Sequence, residues 1–247
     1  MSAGATMGRE MERAQAYARD LAGAYGEALV SVVLYGSAAR GEYREGVSDL
    51  NLLVLLSSTD AHTLRRGSAL ARAWAAENNP PPLLMSEAEF RASADVFPME
   101  LADMNDAHVV LHGENPFHDL EIRPDDLRLQ LERELKGAWI RLRTRYLTES
   151  GDALKFQPML LKSLSTFLVF FRTVLRLSGH PGTRDPETVL NETAARVGFD
   201  PQPLLAIHRA RSGAAKLDVR PDSAVVTGYL EAVARVVEYV DRFERPA

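Results

Sequence analysis

The fold is decided by the stretch Val30-Ser-Val-Val-Leu-Tyr-Gly-Ser-Ala-Ala-Arg-Gly41, which leads into Ser48-Asp-Leu-Asn-Leu-Leu-Val-Leu-Leu56. Both segments contain apolar runs of strand length, and these runs are bounded by Gly, Ser and Asp. Such runs predict two buried strands, here joined through a tight turn and a short helix. Asp49 and Asn51 are two residues apart, so their side chains are predicted to leave the same face of the second strand. A Gly-Ser turn beside two oxygen-bearing side chains can hold a phosphate chain through a divalent cation.

The same stretch resembles the signature of the nucleotidyltransferase superfamily, which includes DNA polymerase beta and the aminoglycoside nucleotidyltransferases. That signature is an apolar strand, Gly-Ser, a spacer of about ten residues, and then an acidic-apolar-acidic-apolar sequence. Gly36, Ser37 and Asp49 occupy their positions in it, whereas Asn51 stands at the second acidic position. The resemblance covers residues 30–56, and both the residue types and their spacing are specific to the signature.

The resemblance implies that carboxylates hold Mg²⁺ on ATP or another nucleoside triphosphate while an acceptor hydroxyl attacks the α-phosphorus. It assigns metal ligation to Asp49, Asn51 and a third carboxylate, for which Glu100 is the candidate and Asp103 the alternative. A strand over residues 95–103 is expected to bring Glu100 beside Asp49, where Glu100 would be the general base for the acceptor hydroxyl. Neutral Asn51 offers a carbonyl oxygen but no negative charge, so we expect a weakened metal centre.

Candidate nucleotide-binding residues surround the turn and extend into the C-terminal half. Gly36 lets the backbone approach a phosphate, and Ser37 can cap the following helix and donate a hydrogen bond. Arg40 and Arg44 could pair with the triphosphate, although exposed arginines beside a turn are commonly solvated. Lys162 could hold a phosphate, as bundle residues do in related antibiotic nucleotidyltransferases, or could extend from the bundle rim into water. The nucleotide-binding set is therefore Gly36, Ser37, Arg40, Asp49, Asn51 and Lys162.

The remaining periodicity predicts two domains with different architectures. Residues 1–120 alternate helical and strand patterns, which predicts an α/β (α+β) nucleotidyltransferase domain with a mixed sheet. Residues 121–247 are helical in pattern. Within them the segment 153–178 is apolar on all sides, which predicts the central helix of an all-α helical bundle. The nucleotide is expected in the cleft between the two domains. Helices are predicted over 8–26, 60–78, 125–148, 153–178, 185–197, 201–212 and 222–244, with a short strand over 83–85.

Composition narrows the partners. The net charge is −5, from 29 basic and 34 acidic residues, which argues against a nucleic-acid polymer as the main partner. The absence of cysteine excludes disulfides and thiolate zinc sites. The N-terminal residues lack the apolar core of a signal peptide, and no apolar run is expected to cross a bilayer. We therefore expect a cytoplasmic protein with no membrane partner.

Three functions follow from these patterns. The first is Mg²⁺-dependent transfer of a nucleoside monophosphate from an NTP to a hydroxyl of a small-molecule or protein acceptor. The second is a catalytically degenerate module that binds a nucleotide or serves in regulation or interaction. The third is a bundle that binds a partner protein, as in paired toxin–antitoxin systems. Asn51 is the residue that discriminates between the first two.

Overall fold

The computed structural model describes residues 3–41, 49–180, 185–211 and 217–243, with side chains from residue 8 onward. The chain divides into an N-terminal unit, residues 1–123, and a C-terminal unit, residues 124–247. The elements of the N-terminal unit are α1 (Ala3–Tyr25), β1 (Leu29–Tyr35), β2 (Asn51–Leu56), α2 (Ala61–Arg66), α3 (Ser68–Ala76), β3 (Leu83–Ser86), α4 (Glu87–Ala92), α5 (Pro98–Asp106) and β4 (His108–Gly113).

Four strands form one mixed sheet in the order β3-β2-β1-β4. β1 pairs antiparallel with β2 and with β4, and β2 pairs parallel with β3. The two apolar runs found in the sequence are therefore the two central strands, β1 and β2, whose side chains are buried on both faces of the sheet. The predicted mixed sheet and the helical character of the C-terminal region are both confirmed.

Alternate residues of β2 reach two separate cores. Leu52 and Val54 pack with α1 and α3, together with Leu50 just before the strand. Leu53 and Leu55 pack on the other face with the side chains of α4 and α5. Because side chains alternate along a strand, Asn51 belongs to the second face.

Residues 98–106 form a helix, so the expected strand over 95–103 is wrong. Pro98 occupies the first turn of α5, where its fixed φ suits a helix and its missing N–H costs nothing. The apolar residues that follow have helical spacing and are buried, namely Met99, Leu101, Ala102 and Met104, and Leu101 and Met104 pack on the sheet. The proline that suggested an edge strand in fact starts a helix.

The single helix predicted over 60–78 is two helices, α2 and α3, separated at Gly67. The aromatic ring of Tyr25 lies directly on Gly67, and a Cβ there would come within 2.0 Å of the Tyr25 hydroxyl oxygen. Close packing of α1 against this junction therefore requires glycine. Asp60 starts α2 by accepting hydrogen bonds from the His62 and Thr63 N–H groups.

The C-terminal unit is built from helices only, over the part that the structure describes. They are α6 (Pro124–Glu149), α7 (Ala153–Leu177), α8 (Pro186–Val197), α9 (Gln202–Arg211) and α10 (Ala224–Asp241). α7 contacts each of the other four, as its all-round apolarity predicted. Inside this unit the hydroxyl of fully buried Tyr229 bonds to Ser163 at 2.8 Å, and burial raises the pKa of Tyr229.

α7 also meets the length and composition of a membrane-spanning helix, with a mean hydropathy of 1.4 over 18 residues. The expectation that no segment of the chain reaches this threshold is therefore corrected. The central helix of a water-exposed bundle meets the same criteria, and 56% of this window is buried inside the unit. Length and hydropathy alone are thus weak evidence for a membrane span here.

Replacing Gly113 by alanine is predicted to destabilise the sheet. Gly113 has φ +75°, and a Cβ there would lie 2.0 Å from the backbone oxygen of Val30. Since backbone on both sides must move, we expect a loss of at least about 2 kcal/mol in the free energy of unfolding. Urea unfolding measures this in a Trp139→Phe background, where Trp74 reports on the N-terminal unit alone.

Gly23→Ala is the matched control for this prediction. Gly23 lies in α1 with open space where a Cβ would be, so alanine should raise stability by about 0.5 kcal/mol. Equal effects of the two substitutions would show that the contact between Gly113 and Val30 does not constrain β4.

Candidate functional site

A tight turn follows β1 at the edge where the site was predicted. Gly36 has φ +81°, a conformation that favours glycine. The Arg40 N–H donates to the Gly36 carbonyl oxygen at 3.1 Å, and the Gly41 N–H donates to the Ala38 carbonyl oxygen at 3.2 Å. Ala38 is buried in the core under α1, which fixes the turn to the body of the unit.

Asn51 lies directly against this turn. Strand pairing sets Tyr35 opposite Asn51, so the residue that ends β1 and the residue that begins β2 are neighbours. A Cβ added to Gly36 would be 3.1 Å from the Asn51 side-chain nitrogen. The Asn51 side chain makes no hydrogen bond to the residues that the structure describes. Its amide is therefore available to a ligand that approaches the turn.

Asp49 stands at the solvent side of the same edge. Its side chain is exposed, whereas the next residue, Leu50, is 1% exposed and anchored in the core beneath α1. Within the described part of the chain, Asp49 takes part in no ion pair. A buried leucine thus holds a solvated carboxylate two residues before Asn51.

Glu100, the predicted third carboxylate, lies on a helix and not on a strand, and its roles as metal ligand and general base stay predictions. Glu100 lies in the first turn of α5 and is exposed, so the strand that would have carried it to the sheet does not exist. The four described strands contain no Asp or Glu. Among the described residues there is also no group of three or more His, Cys, Asp or Glu side chains that could hold a metal. The described residues do not fit a centre with two protein-held Mg²⁺ ions.

A single Mg²⁺ that arrives on a nucleotide makes smaller demands. Magnesium keeps several of its waters and commonly binds one or two protein oxygens together with substrate phosphates. Asp49 supplies one charged oxygen ligand, and the Asn51 carbonyl oxygen supplies a neutral one. These two side chains with the Gly36 turn are suited to a metal-bearing phosphate chain, but not to a two-metal reaction.

Two other predicted residues lie in the turn itself. Ser37 and Arg40 are both half-buried. The helix expected to begin at Ser37 is not found over residues 36–41, which form hydrogen-bonded turns. Arg44 falls in 42–48, outside the described residues.

Lys162 lies on α7 in the C-terminal unit and is exposed. It lines a cavity of about 170 Å³ that two arginines, Arg141 and Arg145, also line. Arg145 is already paired with Glu149 at 2.8 Å. Lys162 is thus one of three cations around a small cavity of the helical unit, and its part in nucleotide binding stays a prediction.

The two histidines of β4 have structural surroundings. The His108 ring lies 4.7 Å from the Phe117 ring, between centroids, and its Nδ1 lies within 3.2 Å of the Met104 carbonyl oxygen. His112 pairs with Val32 in the sheet. Neither arrangement indicates a metal site.

Sequence reasoning missed two features of potential function. The contact between Asn51 and Gly36 follows from the β1–β2 register, which the sequence pattern alone did not specify. A cluster of arginines, Arg196, Arg235 and Arg242, surrounds a cavity in the helical unit. Two of these residues, Arg235 and Arg242, are seven positions apart on one predicted helix, a spacing that could have revealed their common face.

Comparison with known proteins agrees with the geometry of the N-terminal unit. Residues 18–123 match the family model described as "Nucleotidyltransferase domain". The fold is similar to that of a spectinomycin adenyltransferase from Enterococcus faecialis, whose crystal structure contains ATP and spectinomycin. That likeness has a TM-score of 0.55 at 10% identity and covers 91% of this chain and 98% of the other. No curated protein matches the sequence.

The contact between Gly36 and Asn51 can be tested by a double-mutant cycle. Gly36→Ala should cost about 1–2 kcal/mol, because alanine is strained at positive φ and its Cβ presses on the Asn51 amide. Adding Asn51→Ala should recover part of this loss by removing the contact while leaving the backbone strain. Urea unfolding of the four proteins in the Trp139→Phe background gives the coupling energy. Strict additivity, within about 0.5 kcal/mol, would mean that the two residues do not touch.

Proposed function

Because residues 18–123 belong to the nucleotidyltransferase superfamily, we propose that this chain binds a nucleoside triphosphate at the Gly36 turn and transfers its nucleoside monophosphate to a hydroxyl of a small molecule. The observation that carries the proposal is the contact between Gly36 and Asn51 beside the exposed carboxylate of Asp49. This arrangement combines an approachable backbone, an unused amide and one anionic ligand at a single edge of the sheet.

Each of these residues has a definite part in the proposed complex. The Gly36 turn brings backbone N–H groups close to phosphate oxygens, since Gly36 has no side chain of its own. The Ser37 hydroxyl adds a hydrogen bond to a phosphate oxygen. The Asn51 amide lies beside the turn and orients the phosphate chain of the nucleotide. Asp49 holds the cation that accompanies the nucleotide. When bound, Mg²⁺ neutralises phosphate charge and polarises the phosphorus for attack.

ATP and a hydroxyl-bearing small molecule are the first substrates to test. The structural neighbour was solved with ATP and spectinomycin, and the likeness covers 91% of this chain. At 10% identity that likeness concerns the fold, so the nucleotide base, the acceptor and the cytoplasmic location remain predictions. A protein acceptor is a further option within the same chemistry.

A second candidate function is supported by the same site. Asn51 is neutral, and the four described strands lack any acidic residue. A domain with these features could bind a nucleotide without turning it over and act as a regulatory or interaction module. Binding and turnover must therefore be measured separately.

We predict that Asp49→Ala weakens binding of Mg·ATP about tenfold or more, because the charged ligand of the cation is lost. Isothermal titration calorimetry with each NTP and Mg²⁺ measures the affinity. Asp20→Ala is the charge-matched control, since Asp20 is an exposed carboxylate on α1 and is not part of the Gly36 turn. If no NTP binds the unmodified protein, both candidate functions fail together.

Asn51→Asp separates the two candidates. A second carboxylate should raise the Mg²⁺ affinity of the nucleotide complex, because it restores negative charge beside Asp49. Pyrophosphate release, followed by mass spectrometry, then measures turnover. Increased turnover supports a degenerate site, whereas decreased turnover supports a working site built around Asn51. Asn191 is exposed on α8 in the other unit, and Asn191→Asp adds the same charge there. This control should change neither the Mg²⁺ affinity nor the turnover.

A further inference from the structure

A cavity of about 550 Å³ in the C-terminal unit lies between the last turns of α8 and α10. Volumes of this size are typical of small-molecule sites. The cavity is lined by three arginines, two aromatic rings and one carboxylate, namely Arg196, Arg235, Tyr239, Arg242, Phe243 and Glu238. It lies wholly within one unit, so its shape does not depend on the nucleotidyltransferase domain.

The charge around this cavity is strongly positive. Three guanidinium groups face one carboxylate, whereas the whole chain carries a net charge of −5. Glu238 lies 4.0 Å from Arg242, and both side chains are largely exposed, so their attraction is weak. Arg235 is exposed and makes no ion pair to the described residues. Among the described residues, this positive charge therefore has little compensation around the open cavity.

Arg196 is held in place by a hydrogen bond. Its Nε donates to the Tyr239 hydroxyl at 3.2 Å, and that hydroxyl also lies 3.4 Å from the Ser178 Oγ. The bond uses one donor of the guanidinium and leaves the terminal nitrogens for another partner. A guanidinium fixed in this way loses less conformational entropy when it binds a ligand.

Helix dipoles account for only part of this arrangement. Arg196 is in the last turn of α8 and Arg242 caps the end of α10, where cations are favoured. Arg235 lies more than a turn before the end of α10 and gains little from that effect. Arg235, Tyr239 and Arg242 are spaced four and three residues apart, so they share one face of the helix. The helix dipoles therefore account for the positions of Arg196 and Arg242 but not for that of Arg235.

We propose that this cavity binds a small organic phosphate, whose phosphate group is held by Arg196, Arg235 and Arg242 and whose planar ring packs on Tyr239 and Phe243. Arginine forks match phosphate oxygens in pairs of parallel hydrogen bonds. The two aromatic rings, with centroids 5.7 Å apart, supply the apolar surface for the ring of the ligand. This site is independent of the Gly36 turn.

Titration calorimetry at low salt and without Mg²⁺ tests the proposal, with AMP, inorganic phosphate and adenosine as probes. The test variant is the double substitution Arg235→Gln with Arg242→Gln. The control is Arg133→Gln with Arg220→Gln, which removes the same charge from exposed positions outside the cavity. Gly36→Ala is included to show that AMP is not titrating the N-terminal site. Thermal unfolding of each variant establishes that it is folded.

We expect AMP to bind the unmodified protein, the control and Gly36→Ala alike, and to bind the test variant about tenfold more weakly or worse. Affinity should also fall as salt is raised. We expect AMP to bind more strongly than inorganic phosphate, because its ring packs on Tyr239 and Phe243, and equal binding of the two probes would overturn that part of the proposal. Equal affinity of the test variant, or adenosine binding as tightly as AMP, would overturn the proposal.

Discussion

The pairing of Tyr35 with Asn51 is the constraint on which the candidate site depends. It brings the end of one central strand and the start of the next side by side, so the turn after β1 must pass the first side chain of β2. A Cβ at Gly36 would press on the Asn51 amide at 3.1 Å, and glycine also adopts the positive φ that the turn needs. The sheet therefore fixes both the shape of the turn and the position of the polar group against it.

The negative charge available at the site determines how many cations it can hold for catalysis. Two dications about 4 Å apart repel each other by roughly 16 kcal/mol at an effective dielectric constant of 20. Protein carboxylates and nucleotide phosphates together must offset that repulsion. Among the described residues, Asp49 is the carboxylate next to Asn51 and the strands contain no acidic residue, so in the proposed complex the phosphates would carry most of the negative charge. That balance favours one bound cation over two.

Periodicity was sufficient to predict most of the fold, because the strands and the long helices bury strongly patterned faces. It failed where one residue has two structural meanings. Pro98 is compatible with an edge strand and with a helix start, and only the burial of Leu101 and Met104 against the sheet decides between them. Gly67 gave no local signal of a break, because the cause is the ring of Tyr25, a distant residue. The arginine cavity was missed for the same reason, since its members come from two separate helices.

The difference between binding and catalysis gives Asn51 its significance. Ground-state affinity for a triphosphate can come from backbone N–H groups, an amide and one carboxylate, all of which this edge of the sheet offers. Rate acceleration requires interactions that strengthen as charge redistributes in the transition state. The Asn51 amide has nearly the same size as a carboxylate. Because it is neutral, it does not bind a cation more strongly as charge redistributes in the transition state. A site with asparagine at this position therefore keeps most of the geometry of binding while losing part of the electrostatic stabilisation of the reaction.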